Sequence, residues 1–156
     1  MNWPPSASAQ GELGLLRLER ELGRVVARYA RMCDERDWAA IGEVFADDAS
    51  ADYGGWRLRD RDAILAMLRA NLGGCGPTQH LLGNLVVDTA GGAVTSRVAV
   101  RAAHRGAGEL AHTSYECMGE YHDRWTHTPA GWRIGQRRMV VGFEFGSRSV
   151  LRPPAA

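Results

Sequence analysis

The chain has 156 residues, of which 45% are hydrophobic, and these values favour one domain with a buried core. The formal net charge of +1 leaves no electrostatic footprint for nucleic acid or for an anionic membrane surface. All nineteen basic residues are arginine, so chemistry that needs a lysine amine, such as Schiff-base formation, is excluded.

The three cysteines, Cys33, Cys75 and Cys117, are widely spaced and form no CxxC pair, which argues against a metal knuckle or a redox motif. An odd cysteine count with no signal peptide predicts a reducing, cytoplasmic location. No stretch approaches the roughly 18 apolar residues that would span a bilayer.

The first half of the chain is predicted to be mainly helical. Residues 1–10 are expected to be a flexible leader. From residue 12 to about 33, apolar residues recur at helical spacing, with most arginines off the apolar stripe. Asp37 is expected to cap a second helix over 38–45. A short strand over 49–53 follows.

Two glycines, Gly54 and Gly55, predict a hairpin turn into residues 56–58. Asp60 or Asp62 is expected to start a third helix that ends at the glycine-rich stretch after Leu72.

The second half is predicted to be sheet. Strands are expected over 78–89, 94–105, 114–125 and 132–145, and residues 148–156 are expected to be a loose tail. Helices followed by long antiparallel strands predict an α+β layer, in which a curved sheet leaves a ligand pocket under the helices.

A series of short motifs occurs along this order of elements. They are Tyr29 with Asp34, Asp37 and Trp38; Asp52 with Tyr53; Thr78 to His80; His104; and Gly131 to Ile134. In this order and spacing they resemble the SnoaL-like branch of the nuclear transport factor 2-like superfamily, which includes scytalone dehydratase and bile-acid dehydratase.

The resemblance implies a cone-shaped, curved antiparallel sheet with N-terminal helices packed over it, enclosing an apolar pocket. It places a single α+β barrel domain at residues 11–147. Many such proteins are dimers and many need no cofactor, so we expect a homodimer or other homo-oligomer and no cofactor.

His80 is the leading candidate for catalysis. By strand alternation it shares one face with Thr78, Leu82 and Asn84, which mixes apolar and hydrogen-bonding groups, so Asn84 is expected to bind substrate. A lone histidine on a strand is usually structural or exposed. An imidazole can nevertheless remove a proton beside a carbonyl and return it to a leaving hydroxyl.

Asp34 and Tyr29 are the expected partners of His80. The resemblance to dehydratases gives both functional roles: Asp34 would hold the His80 tautomer, and Tyr29 would support an enolate. Tyr29 and Asp34 are five residues apart, which corresponds to about 140° around a helix. Both are therefore expected to reach His80 only if the helix loses its regular geometry near Cys33. The alternative for Asp34 is a helix-end or loop carboxylate near Arg31 or Arg36. The alternative for Tyr29 is a core tyrosine whose hydroxyl bonds a backbone group.

Tyr53, His104 and Tyr121 form a second group. The resemblance implies that Tyr53 and His104 line the pocket and bind water or substrate. Alternation along their strands places His104 and Tyr121 inward. Tyr121 stands where scytalone dehydratase has an asparagine, and Cys33 stands where that enzyme has a tyrosine, so the substrate is not expected to be the same.

These residues predict a cofactor-independent dehydratase acting on a largely apolar β-hydroxy carbonyl compound, such as a polyketide, steroid or terpenoid. The alternatives are an isomerase or cyclase that uses the same proton abstraction, and a non-catalytic binding module. Epoxide hydrolysis would need two inward carboxylates flanking an arginine, for which Asp88, Arg101 and Asp123 are available types. No zinc set, phosphate loop or Gly-x-Ser-x-Gly elbow is recognised.

Overall fold

The computed structural model describes residues 9–55 and 57–152. Its helices are α1 (Ala9–Glu35), α2 (Ile41–Val44) and α3 (Arg61–Leu72), with a 3-10 turn, Trp38–Ala40, before α2. Its strands are β1 (Phe45–Tyr53), β2 (Arg57–Leu58), β3 (Thr78–Asp88), β4 (Thr95–Arg105), β5 (Ser114–Thr128) and β6 (Gly131–Gly146).

The six strands form one curved sheet in the order β2-β1-β6-β5-β4-β3, with the helices packed on it. The predicted α+β class is therefore confirmed. Two details differ from the expected antiparallel barrel: β1 runs parallel to β6, and the sheet does not close, because β2 and β3 are both edges.

The helix α1 packs on the sheet through one stripe. Leu22, Val26, Tyr29 and Cys33 are spaced by three or four residues and are buried, as an amphipathic helix requires. The second predicted helix is only partly correct, since Phe45 already begins β1. Asp37 makes no capping hydrogen bond; its carboxylate pairs with Arg28 at 2.6 Å instead, which satisfies the charge outside the helix.

Turn residues fix the remaining elements where the sequence predicts them. Asp60 caps α3 by accepting a hydrogen bond from the Ala63 amide at 2.7 Å. Gly91 and Gly92 adopt φ of 70° and 77° between β3 and β4, in the left-handed region that glycine enters without a steric penalty. The Gly54–Gly55 turn is present, and Trp56 lies outside the described residues.

Bulges in β3 and β6 interrupt the alternation of side chains along the strands, and β1 shifts register against β6 between Phe45 and Ser50. One lies between Gly83 and Val86 in β3. In β6, Gly135 and Gly142 are each an extra residue opposite β5, where the partner register shifts. A bulge moves every following side chain to the other face of the sheet, so these positions decide which residues face the helices.

The chain after β6 is packed in its described part. Val150 is fully buried beside Tyr115 and Cys117, and the Arg152 amide donates to the Asn71 carbonyl at 2.9 Å. The prediction of a loose tail from residue 148 is thus wrong for 148–152, because an apolar anchor and backbone hydrogen bonds hold it. Residues 153–156, and residues 1–8 of the predicted leader, lie outside the described residues.

Candidate active site

A cavity of about 150 Å³ lies between the helices and the inward face of the sheet. Its lining combines phenols, imidazoles and apolar side chains, among them Tyr29, Tyr53, Leu68, His80, His104, Tyr115, Tyr121 and Met139. A larger depression of about 870 Å³ lies elsewhere and is lined by charged side chains such as Asp52, Arg97 and Arg138. His80 and Tyr29 line the smaller cavity and not the larger one, so we place the candidate site in the smaller cavity.

His80 and Asp34 form a hydrogen-bonded pair at this cavity. The Nδ1 atom of His80 lies 2.7 Å from Oδ1 of Asp34, and the His80 amide donates to Oδ2 at 2.9 Å. The Thr78 hydroxyl donates to Oδ1 at 3.0 Å. Burial acts to raise the pKa of Asp34, but these hydrogen bonds outweigh it and hold the pKa below its usual range.

The charged form of Asp34 fixes the tautomer of His80. A carboxylate only accepts hydrogen bonds, so the Nδ1 atom carries the proton and Nε2 keeps its lone pair. The His80 side chain is only 4% exposed. The arrangement can therefore supply an oriented base at the cavity wall.

The helix α1 brings Tyr29 and Asp34 to His80 without any break. It remains α-helical as far as Glu35, so the expectation that it must lose regular geometry is wrong. The two residues are about 7.5 Å apart along the axis and approach the imidazole from different sides. Asp34 bonds Nδ1, while the Tyr29 ring meets the imidazole edge to face, with centroids 6.1 Å apart.

Arg36 joins the three segments around this pair, a role that no local sequence pattern predicts. It ends α1 with a φ of 59° and donates to the Thr78 hydroxyl at 2.8 Å and to the Leu72 carbonyl at 2.9 Å. The alternative in which an arginine pairs with the Asp34 carboxylate does not hold, since Arg31 bonds Glu35 and Arg36 reaches only the Asp34 carbonyl.

Two phenols meet beside the imidazole. The hydroxyls of Tyr29 and Tyr53 lie 3.1 Å apart, and the Tyr29 and Tyr121 rings pack edge to face at 5.5 Å. Burial raises the pKa of all three phenols, so they stay protonated. When one hydroxyl of the Tyr29–Tyr53 pair donates to the other, one proton is left over for a ligand oxygen.

A buried ion pair lies behind the phenols. Asp123 accepts from Arg137 at 2.8 and 2.7 Å, and both side chains are fully buried. The guanidinium carbon lies 4.3 Å from the Tyr29 ring centroid and 4.1 Å from that of Tyr121. Asp123 had been considered only as an available carboxylate; Arg137 was missed, because it faces inward only through the bulge at Gly135.

The three residues considered for epoxide hydrolysis do not assemble. Asp123 is buried, but Asp88 and Arg101 are exposed, and Arg101 pairs with Glu116 at 2.7 Å.

His104 lies next to His80 and is neutral. The two rings pack edge to face with centroids 5.5 Å apart. Burial lowers the pKa of His104 to about 4, with the nearby His80 adding to the effect. Its Nδ1 lies 3.2 Å from the Tyr115 carbonyl, which can only accept, so Nε2 is left as an acceptor.

Asn84 is not brought to the site. It is exposed and sits at the β3 bulge with a φ of 54°. The bulge turns Leu85 toward the core and Asn84 away from it, so the prediction that Asn84 shares the inward face of His80 is wrong.

The described residues were also compared with the requirements of a metal site and of a membrane-spanning helix. Among them, no group of three or more His, Cys, Asp or Glu side chains is placed to hold a metal ion. No described helix combines the length and the apolarity needed to cross a bilayer.

The fold agrees with the relatives of this chain. Residues 15–138 match the SnoaL-like domain, and the chain belongs to that family. The uncharacterised protein Rv2910c of Mycobacterium tuberculosis is 32% identical over 127 residues, which cover 80% of this chain and 85% of the relative. The uncharacterised protein Mb2934c of Mycobacterium bovis matches to the same extent.

Solved structures share the fold at low sequence identity. A candidate scytalone dehydratase from Novosphingobium aromaticivorans superposes with a TM-score of 0.78 at 19% identity, covering 94% of this chain and 97% of that one. The protein Kfla4162 from Kribbella flavida gives 0.77 at 22% identity, covering 86% and 97%. The hexachlorocyclohexane dehydrochlorinase LinA type 2 gives 0.75 at 14% identity, covering 93% and 99%.

Proposed function

We propose that this protein is a cofactor-independent dehydratase for a small, largely apolar β-hydroxy carbonyl compound. The observation that carries the proposal is the 2.7 Å contact between His80 Nδ1 and Asp34 Oδ1 at a cavity that two hydrogen-bonded phenols also line. Such a site provides a base, a group that orients it, and a donor for a developing oxyanion.

The first step is removal of a proton from the carbon beside the carbonyl. The Nε2 atom of His80 takes the proton, and Asp34 stabilises the imidazolium that forms. The electron pair of the C–H bond moves to the carbonyl oxygen. The Tyr29–Tyr53 pair donates its spare proton to that oxygen as a hydrogen bond, and the Arg137 charge behind the rings favours the negative charge.

The second step expels the hydroxyl. The enolate restores the carbonyl and forms a carbon–carbon double bond, while the β C–O bond breaks. The proton on His80 Nε2 passes to the leaving oxygen, so the products are water and an α,β-unsaturated carbonyl compound. His104, neutral and with a free Nε2, is placed to accept a hydrogen bond from the leaving hydroxyl before it departs.

Two kinds of related reaction would use the same proton abstraction, and only the substrate distinguishes them from dehydration. Without a β leaving group, the same abstraction gives an isomerase or a cyclase. With a β-halogen, it gives a dehydrohalogenase, the reaction named for the neighbour LinA. A non-catalytic binding module is less well supported, because a hydrogen-bonded imidazole–carboxylate pair facing a cavity is not needed for apolar binding.

The test uses 3-hydroxycyclohexanone, whose elimination product, a conjugated ketone, absorbs in the ultraviolet. His80→Ala is expected to lower the rate by about 10²–10⁴-fold with the fold intact by circular dichroism. His122→Ala is the matched control, because His122 also pairs with a carboxylate, Glu120 at 2.8 Å, but on the outward face. Equal rates for His80→Ala and the unmodified protein would remove the mechanism.

Exchange of the α-protons of cyclohexanone in D2O, followed by NMR, tests the abstraction step without any leaving group. Exchange that depends on His80 but gives no elimination would support the isomerase or cyclase alternative. The absence of both activities would favour the binding module.

A cytoplasmic location and self-association complete the proposal. The three cysteines are free, which suits a reducing compartment. The outward sheet face exposes Phe143 and Phe145 at 57% and 61%. Acidic Glu116 lies near them and Arg138 lies farther along the same face, so a two-fold axis that passes between these two positions would set unlike charges opposite each other.

Sedimentation velocity tests the dimer. Phe143→Glu is expected to shift the protein to monomer, whereas Leu16→Glu, at an exposed position of α1, is the matched control. A monomeric unmodified protein at micromolar concentration would contradict self-association.

A further inference from the structure

The cavity has a second polar wall that the proposed mechanism does not use. The Tyr115 hydroxyl and the Arg148 guanidinium both donate to the Glu144 carboxylate, and all three residues line the cavity. Hydrogen bonding from Tyr115 holds the pKa of Glu144 below its usual range, so the carboxylate is ionised. Arg148 Nε also donates to this carboxylate, at 3.3 Å, so three donor atoms reach it, and about one of the roughly four acceptor positions of an ionised carboxylate remains.

Glu144 lies across the sheet from His80. The cross-strand pairs His80–Ala102, Ala102–Cys117 and Cys117–Glu144 form one row over β3, β4, β5 and β6. Three strand spacings correspond to about 14 Å between the outer backbones of a flat sheet. Curvature and the lengths of both side chains shorten the gap between the imidazole and the carboxylate.

The space between these two walls is small and apolar. It is lined by Met67, Leu72, Ala102 and Met139, and the whole cavity has a volume of about 150 Å³. A cavity of roughly this volume accommodates a benzene-sized molecule. It therefore matches one six-membered ring with small substituents, and a fused four-ring compound would extend out of its open side, past the 30% exposed side chain of Glu144.

We propose that Glu144 is a specificity-determining residue, which accepts a hydrogen bond from a hydroxyl on the far side of a single-ring hydroxy ketone whose carbonyl faces His80 and Tyr29. This inference rests on the proposed function and narrows its substrate class to monocyclic compounds with a second hydroxyl. Tyr115 and Arg148 are positioning residues, since they hold the carboxylate toward the cavity.

Ligand-observed NMR titration tests the inference with three probes that lack a β-hydroxyl and cannot undergo the elimination. They are cyclohexanone, 4-hydroxycyclohexanone and the fused bicyclic ketone 2-decalone. The unmodified protein is expected to bind 4-hydroxycyclohexanone about tenfold more tightly than cyclohexanone, because the added hydroxyl bonds a charged acceptor. It is expected to bind 2-decalone at least about tenfold more weakly than cyclohexanone, because overfilling a packed cavity is unfavourable.

Glu144→Gln is expected to reduce the preference for the hydroxylated ketone to about twofold, since a neutral amide is a weaker acceptor. The matched control is Glu120→Gln, which removes a carboxylate paired with His122 on the outward face of the sheet and should keep the tenfold preference. A preference that survives Glu144→Gln, a missing preference in the unmodified protein, or tight binding of 2-decalone would each overturn the inference.

The outcome is separable from the proposed catalysis. His80→Ala should abolish turnover of 3-hydroxycyclohexanone and keep the preference for 4-hydroxycyclohexanone over cyclohexanone. If the unmodified protein shows the preference without turnover, the proposed function fails and the specificity site stands. Turnover without the preference overturns the specificity site alone.

Discussion

Asp34→Asn is the most direct test of the candidate site. The change keeps the size of the side chain and removes its charge. In the structure the carboxylate accepts from the His80 ring, the His80 amide and the Thr78 hydroxyl, at 2.7, 2.9 and 3.0 Å. An asparagine can satisfy only some of these donors, and it can leave His80 in the wrong tautomer.

The expected loss follows from the charge that develops on His80. Imidazolium and carboxylate with charge centres about 4 Å apart attract by about 4 kcal/mol at an effective dielectric constant of about 20. That energy corresponds to about 10³-fold in rate. The Asp34 side chain is 23% exposed, so solvent screens part of the attraction. We therefore expect kcat to fall by about 10²–10³-fold.

The assay is the appearance of conjugated ketone from 3-hydroxycyclohexanone, with urea unfolding measured in parallel. Asp37→Asn is the matched control, because Asp37 lies just beyond the same helix and its carboxylate pairs with Arg28 and not with His80. A loss of less than about threefold in kcat for a well-folded Asp34→Asn protein would refute the assignment of Asp34 as the group that orients His80.

Three further predictions concern stability, each measured by urea unfolding. Burial keeps the pKa of His104 near 4 in the folded state, against about 6.5 in the unfolded chain. The unfolded chain alone therefore gains this proton between pH 6.5 and 4, and stability should fall there by up to about 3 kcal/mol. The free energy of unfolding of His104→Gln should fall by about 3 kcal/mol less over this pH range. An equal fall in both proteins would contradict the lowered pKa of His104. Arg36→Ala and Arg36→Gly both remove the same hydrogen bonds, but Gly should be about 1 kcal/mol more stable because it tolerates the φ of 59°. Equal values would argue against that strain. Asp123→Ala should cost about 3–5 kcal/mol by leaving Arg137 buried and unpaired, whereas the double change Asp123→Leu with Arg137→Met should cost less. A smaller loss of stability for Asp123→Ala than for the double change would contradict this expectation.

Much of the site could be predicted from local patterns. His80, His104 and Tyr121 are buried as strand alternation predicted. Asp34 could be inferred only through the resemblance to a known family, since no local rule links a residue near a helix end to a strand more than forty positions later. Thr78 could also have been predicted to assist, because it lies two residues before His80 on the same strand face.

Other site residues could not be predicted because bulges reset the alternation. Glu144 pairs with inward-facing Cys117 only because Gly142 is an extra residue in β6, and Arg137 faces inward only because of Gly135. The β3 bulge has the opposite effect on Asn84. A bulge depends on the register between two strands, and register is a property of the assembled sheet.

The sequence by itself determined the order of elements, the α+β class, the amphipathic face of α1 and the inward direction of His80 on its strand. These follow from periodicity and turn chemistry, which act over a few residues. Tertiary structure decided that a regular helix can present Tyr29 and Asp34 to two sides of one imidazole. It also decided that an ionised Glu144 faces His80 across a cavity of about 150 Å³, because strand register and sheet curvature set distances between residues far apart in the chain.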